Sequence, residues 1–388
     1  MAVLVSLFVF LVQPVFRVRF FILPVDEIGP LVHYPHHYLW SQSRHSTKRL
    51  SLDIAVFKPG VFVANHTLLR KWSDILTVKS GVVWWKTSAL LYKLKLYRFI
   101  VRKDADFPFE LPLLPSRSFP YLTSLSKEEN TRAHHDLLSA GFDSDKPFVT
   151  LVVRDPSYKQ VFRRTPLLID TKEDYRNQDI ADFIMLPEVL EREGLRAVRM
   201  GARVERPFPI ESEQVFDYAT SGIRTELTDL YLMNNCKLCI STGLGLDGVS
   251  AIAGIPRVLI NFFPYTETAN AQEWELVLPV RIFDTAMNRE LTFEESLARP
   301  SILHFRGSEE LAAEGLVLVR ARKDEIPITI EEALLRLDGK LSMSDSDLVN
   351  QKRYWEVLAR DASLWRLTAT PRPMVSPSFL RRYAAWLW

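Results

Sequence analysis

Between Cys236 and Asn261 the chain reads as one βαβ unit: a short apolar strand, a turn with glycines at Gly243, Gly245 and Gly248, a compact run of small residues, a Gly254-Ile-Pro break, and a second apolar strand. Parallel strands joined through a helix restrict the fold to the α/β class, because such crossovers lay helices over the faces of the sheet. The glycines leave the backbone open at the head of the helix, where amide groups and the positive end of the helix dipole favour a phosphate.

The same order recurs upstream. An apolar run, Phe148 to Val153, ends in Arg154-Asp-Pro-Ser-Tyr158, and a helical stretch from Ile180 to Glu193 is closed by Gly194. The strand Leu195 to Met200 then ends at Gly201, a short strand follows at Phe216 to Ala219, and a helix over Thr225 to Asn234 leads into the opening unit. This alternation predicts a parallel sheet. Further on, strands are expected at Leu276 to Phe283 and Leu316 to Val319, with helices over Thr329 to Leu337 and Ser342 to Trp355. A basic, aromatic end, Pro371 to Trp388, could cap a groove or dock elsewhere.

The first third is less regular. Strands are expected at Val18 to Pro24 and Leu52 to Phe57, and an amphipathic helix over Leu68 to Val78. Trp84 to Phe99 is helix-like, aromatic and basic, so it either packs a core or lies on an acidic membrane surface. Leu122 to Asp145 reads as an interdomain linker. A length of 388 residues fits two domains. The expected division is an N-terminal Rossmann-like domain over 1–145, a second domain over 146–340, and a helical tail over 341–388.

Met1 to Val12 is an apolar run too short to span a bilayer as a helix, and no small-residue cleavage site follows it. It reads as a buried or membrane-skimming segment, with a cleaved signal or short anchor as the alternative. A net charge of +2 argues against a dedicated nucleic-acid binder. Cys236 and Cys239 have C-x-x-C spacing, yet no second ligand pair accompanies them, and a core thiol with a second one near a strand edge is the simpler reading. The absence of a disulfide framework suits a reducing compartment. His33, His36 and His37 suggest a metal, but Pro35 is expected to break their helical spacing; Asp104-Ala-Asp106 resembles a metal-binding D-x-D, but falls in a Pro-rich irregular stretch. No metal or other cofactor is expected.

Gly243-x-Gly245-x-x-Gly248 formally satisfies the dinucleotide fingerprint. Three features oppose an NAD site: the unit lies late in its domain, its helix is barely two turns, and the following strand ends in Asn261-Phe-Phe with no acid to hold a ribose diol. A nucleotide-sugar site fits better. Val153-Arg-Asp-Pro-Ser-Tyr158, Tyr175-Arg-Asn177, Val198-Arg-Met-Gly201 and Ser241-Thr-Gly-Leu-Gly245 with Gly254-Ile-Pro256 together resemble a bacterial family of GT-B glycosyltransferases from surface-polysaccharide clusters. Glu27-Ile-Gly-Pro30 departs from that family, where a basic residue is expected before Ile-Gly and a histidine after it.

The resemblance implies two Rossmann-like domains facing a cleft, a nucleotide-sugar donor, and a glycan or lipid-linked acceptor. It also implies a cytoplasmic protein, peripheral on the inner membrane face. Its donor site would comprise Arg154, Tyr158, Arg176, Asn177, Arg199, Gly201, Ser241, Thr242, Gly243, Gly245 and Asp247. The chemistry agrees, since a leaving nucleoside diphosphate gathers negative charge that arginines and backbone amides can meet without a metal. Arg154 is an anion contact or a surface partner of Asp155, and Asp247 either caps the helix or binds a sugar or ribose hydroxyl. A general base for an inverting transfer would come from Asp26, Glu27 or His33 near the first strand. Alternatives are an epimerase or pyruvyl transferase on the same fold, or a non-catalytic binding protein that keeps it.

Overall fold

The chain separates into two units, Met1–Ser124 and Leu125–Trp388, in a computed structural model that describes residues 1–44, 51–96, 124–157, 171–360 and 372–388. Both are built on parallel sheets, and the fold is of the α/β class.

In the first unit, strands β1 (Arg17–Ile22), β2 (Ser51–Phe57) and β3 (Thr77–Ser80) pair in parallel in chain order. Its described residues also form helices α1 (Ala2–Val12), α2 (Ile28–Arg44), α3 (His66–Ile75) and α4 (Val82–Lys93). Arg19 on β1 is buried and forms a two-pronged pair with Asp53 on β2, Nε to Oδ1 and Nη2 to Oδ2 both at 2.7 Å. That geometry matches the guanidinium fork to the carboxylate and fixes the register of the first two strands.

Pro35 does not break α2, contrary to expectation, and the reason lies 37 residues further on. A proline has no N–H to give the carbonyl one turn back, so the oxygen of Leu31 would be left without its helical donor. The indole of Trp72, buried on α3, supplies one: its Nε1–H donates to Leu31 O at 2.8 Å. His33, His36 and His37 therefore share one helix, with His36 fully buried.

The second unit holds α5 (Lys127–Ser139), β4 (Phe148–Val152), α6 (Leu186–Arg192), β5 (Arg196–Met200), β6 (Val215–Phe216), α7 (Glu226–Asn235), β7 (Leu238–Ser241), α8 (Asp247–Ala253), β8 (Arg257–Phe262) and β9 (Leu276–Pro279). There follow β10 (Arg281–Asp284), β11 (Arg289–Glu290), three short helices, α9 (Phe293–Leu297), α10 (Pro300–Leu303) and α11 (Ser308–Ala313), and β12 (Leu316–Val319). Last come α12 (Glu325–Leu337), α13 (Asp345–Leu358), β13 (Met374–Val375), α14 (Pro377–Arg382) and α15 (Ala384–Leu387). Seven strands form one wholly parallel sheet in the order β13-β9-β8-β7-β4-β5-β6. Counted from β4, this is the doubly wound order 3-2-1-4-5-6 with one further edge strand. Its central strands β4 and β7 are buried at every position because helices cover both faces: Val149 and Leu151 join the core with residues of α6 and α12, and Thr150 faces Cys236 at the end of α7, which in turn meets Ser250 of α8.

Several expectations change. The helix over 127–139 packs on α7 and belongs to the second unit, so the division falls at Ser124 rather than at 145. The expected strand Leu276 to Phe283 is two strands: Pro279 ends β9 in the main sheet, and β10 joins a small antiparallel sheet with β11 and β12. Residues 341–388 are not a tail, since β13 pairs with β9, and Trp386 lies 4.7 Å from Phe293, which stacks on Tyr354 at 4.5 Å. Both cysteines are free and fully buried; burial pushes the Cys236 thiol up to about 11, which makes it a packing group rather than a redox or zinc pair with Cys239.

Two outcomes are expected of the first unit. Trp72→Phe removes the donor to Leu31 O and should cost roughly 2–3 kcal/mol in urea unfolding. Burial lowers the His37 imidazole from 6.5 to about 4, so between those values the unfolded chain binds a proton that the folded unit does not. Stability is then complete above 6.5 and declines as pH falls toward 4, by about 3 kcal/mol over the window. Urea melts across that range should show the slope, and His37→Phe should flatten it.

Candidate functional site

In a doubly wound sheet the crevice lies beyond the carboxyl ends of the strands where the order reverses. Here that point falls between β4 and β7, whose pairing places Val152 opposite Ser241. Two residues beyond that level stand Arg154 and Gly243, and the next strand brings Asn261 to the same edge, since Ser241 pairs with Leu259. The loops leaving β4 and β7 are stitched together: Thr242 N–H donates to Val152 O at 3.1 Å, and Arg154 N–H donates to Thr242 Oγ1 at 3.0 Å.

The Arg154 side chain is half-buried and directed by its neighbours. Its Nε–H donates to Asn177 Oδ1 at 3.1 Å, Asn177 Nδ2 donates to Asp174 Oδ1 at 3.0 Å, and Gln178 N–H returns to Arg154 O at 3.1 Å. Arg154 and Asn177 thus meet across 23 residues of sequence. Asp155 does not pair with Arg154 in these bonds. Its carboxylate takes Ser157 N–H and Oγ–H on one oxygen and Glu205 N–H on the other. Arg176 instead turns to Tyr175, donating from Nε to its hydroxyl at 2.7 Å.

The glycine turn is locked from within. Ser241 Oγ accepts from Gly243 N–H at 3.0 Å and donates to Asp247 Oδ2 at 2.5 Å, and the same carboxylate oxygen accepts from Leu244 N–H at 3.1 Å. Two amides that the sequence offers to a ligand are therefore already bonded. Gly243 has φ +78°, where only glycine is unstrained, and a side chain there would lie 3.8 Å from the Phe262 ring. Asp247 is the first residue of α8 rather than its cap; it is buried under the turn, and its other oxygen accepts from Arg257 Nη1 at 3.2 Å. Arg257 in turn grips Glu275 with Nε to Oε1 at 2.5 Å and Nη2 to Oε2 at 2.8 Å. Burial alone would favour a neutral guanidinium, but Glu275 and Asp247 outweigh it and hold Arg257 charged more firmly than usual.

Arg199 is not brought to this edge. It is 2% exposed, and Nη1 donates to Asp217 Oδ2 at 3.0 Å, an oxygen that also receives Phe208 N–H at 2.7 Å. It braces the loop between β5 and β6. Gly201 is a packing requirement of the same loop, since a Cβ there would sit 2.6 Å from Val204 Cγ1. Gly245 lies half-buried in the turn, and Tyr158, Asp104 and Asp106 lie outside the described residues.

Asn261 is a residue that sequence reasoning treats only as a missing acid. It has φ +53°; its Oδ1 accepts from Ala321 N–H at 2.6 Å, while Nδ2 is buried with no hydrogen-bond partner among the described residues. A non-glycine residue in that region at a strand end is the available signal, and asparagine tolerates it best. In the first unit Asp26 and Glu27 are exposed at the carboxyl end of β1, and His33 is half-buried one turn into α2. Among the described residues no group of three or more His, Cys, Asp or Glu is placed to hold a metal ion.

Asp247→Asn should cost about 3–5 kcal/mol in urea unfolding, because it leaves a buried guanidinium short of a carboxylate. A loss under about 1 kcal/mol would mean that Glu275 alone suffices.

No family model matches the sequence, and no curated protein matches it. Among solved structures the chain is similar to a glycosyl transferase family 9 protein from Veillonella parvula, at 12% identity and TM-score 0.42, over 83% of this chain and 98% of that one. It is also similar to the ADP-heptose lipopolysaccharide heptosyltransferase II of E. coli, at 13% identity and TM-score 0.39, over 76% and 98% respectively.

Proposed function

We propose that the chain is a glycosyltransferase that takes its sugar from a nucleotide-sugar donor without a metal ion, and that the donor diphosphate is held at the carboxyl ends of β4, β7 and β8. The observation that supports this most is that Arg154 and the preshaped Gly243 turn stand where strand order reverses, with the Asn261 amide at the same sheet edge one strand further on. A leaving nucleoside diphosphate carries growing negative charge on its terminal phosphate. A guanidinium that a neighbour already orients meets that charge with little reorganisation.

In this reading an acceptor hydroxyl of a glycan or lipid-linked sugar attacks the anomeric carbon. The bond from that carbon to the β-phosphate oxygen breaks, and the hydroxyl proton passes to a base. The base is assigned to the first unit, where Asp26, Glu27 and His33 are the groups at and just beyond the end of β1. Arg154 and Asn177 are assigned to the diphosphate, with Asn261 as a further donor. Arg199, Asp247 and Ser241 hold the walls. The work is placed in the cytoplasm, on a surface-polysaccharide precursor.

An NAD enzyme is less well supported, because no acid stands at the end of β8 for the ribose diol: Asn261 occupies the place, with its oxygen engaged by Ala321. An epimerase or pyruvyl transferase would share the sheet edge and differ in donor.

Titration calorimetry with UDP, GDP, ADP, CMP and NAD tests the reading. At least one nucleoside diphosphate should bind, and Arg154→Ala should weaken it roughly ten- to a hundredfold while leaving the unfolding midpoint in place. Binding of NAD alone, or an Arg154→Ala variant that binds the diphosphate as tightly as wild type, would overturn it.

A further inference from the structure

Helix α1 is apolar on two faces, and only one of them is covered. Val5, Val9 and Val12 follow the i, i+4, i+7 spacing of a single stripe and pack on Trp84, Trp85 and Leu91 of α4 and on the sheet residues Val18 and Phe20. Leu4, Leu7, Phe8 and Leu11 form a second stripe with helical spacing, and it faces water: Leu4 is 64%, Phe8 62% and Leu11 74% exposed. Val15, just past the helix, continues it. Isolated exposed leucines are ordinary, but a contiguous apolar stripe of this kind marks a surface that something covers.

The charge of the first unit points to what covers it. Residues 1–124 contain sixteen Lys and Arg against seven Asp and Glu, a net of +9, in a chain whose whole net is +2. Helix α4 lies beside α1, with Thr87 Oγ1 donating to Ala2 O at 3.4 Å, and it presents Lys86 and Lys93 to solvent, followed by Lys95. A second copy of the chain would bring two strongly positive units together, which their repulsion opposes. A surface that is apolar in depth and negative at its face suits both features.

We propose that α1 is an interfacial anchor: the first unit docks on an anionic lipid surface, with the Leu4, Leu7, Phe8 and Leu11 face sunk among the acyl chains and the α4 lysines at the headgroups. At 11 residues the helix is about 16 Å long, roughly half the hydrocarbon thickness, and none of the helices in the described residues is long and apolar enough to cross. The inward stripe ties α1 to the sheet, so the fold and the membrane share one helix, and the lysines supply the preference for acidic lipid.

Flotation of the full-length protein with vesicles tests this. Wild type should rise with phosphatidylcholine vesicles containing about one third phosphatidylglycerol, and far less with phosphatidylcholine alone. Leu7→Glu/Leu11→Glu, which alters only exposed positions, should lower the partition at least about tenfold with an unchanged unfolding midpoint. Lys86→Glu/Lys93→Glu should abolish the preference for acidic vesicles. The proposal fails if wild type does not rise with acidic vesicles, or if Leu7→Glu/Leu11→Glu rises equally well. It also fails if light scattering shows a dimer that this variant dissolves, because the stripe would then belong to a second copy.

Discussion

One buried guanidinium holds the glycine turn between β7 and α8 in shape. Arg257 sits at the start of β8 with almost no exposure, and it survives there because two carboxylates flank it, Glu275 before β9 and Asp247 beneath the glycine turn. Removing three charges from water is expensive, and such a cluster is weak evidence of added stability. Its value here is geometric. Asp247, fixed by Arg257, fixes Ser241 and Leu244, and these fix the turn that closes the crevice beside Arg154. The chain of bonds makes the turn a rigid wall, which is what a site needs if it is to meet developing charge without rearranging.

This changes how the charged residues at the strand ends are to be understood. Arg154 and Arg199 end adjacent parallel strands and look equivalent in sequence. The sheet separates them: Arg154 stands at the reversal of strand order, half-buried and held by Asn177, while Arg199 is sealed against Asp217. The second supports a loop, and the first is the one that the proposed function assigns to the diphosphate. The same distinction divides Asp247 from Asn261, for the acid is fully engaged while the amide retains a donor.

What the sequence made legible follows from the range of the interactions concerned. Parallel strands covered on both faces read as apolar runs, so Phe148–Val152, Leu238–Ser241 and Arg257–Phe262 were visible, as was the Gly254 break, whose φ of +73° ends α8. The capping box of Thr292 with Glu295 is of the same local kind, since both partners lie within three residues. Illegible were features settled by distant partners. Nothing near Pro35 announces the indole of Trp72, and nothing near Asp247 announces Arg257 as its counter-charge. The strand Leu276 to Phe283 looked continuous because apolar pattern does not reveal which of two sheets a residue joins; Pro279 was the only local clue.

The pairing of Met374–Val375 with β9 and the packing of Trp386 on Phe293 have a consequence for synthesis. A chain emerging from the ribosome can close the described core of the first unit early, since its three strands and helix α4 are complete by residue 93. The second unit must wait. Until roughly residue 387 is free, its large sheet keeps an open edge at β9 and its aromatic cluster a gap, at elongation rates of about 5–20 residues per second. The nascent protein thus passes through a state in which one unit is folded and the other carries an open strand edge on β9, and shielding that edge falls to whatever meets the chain first.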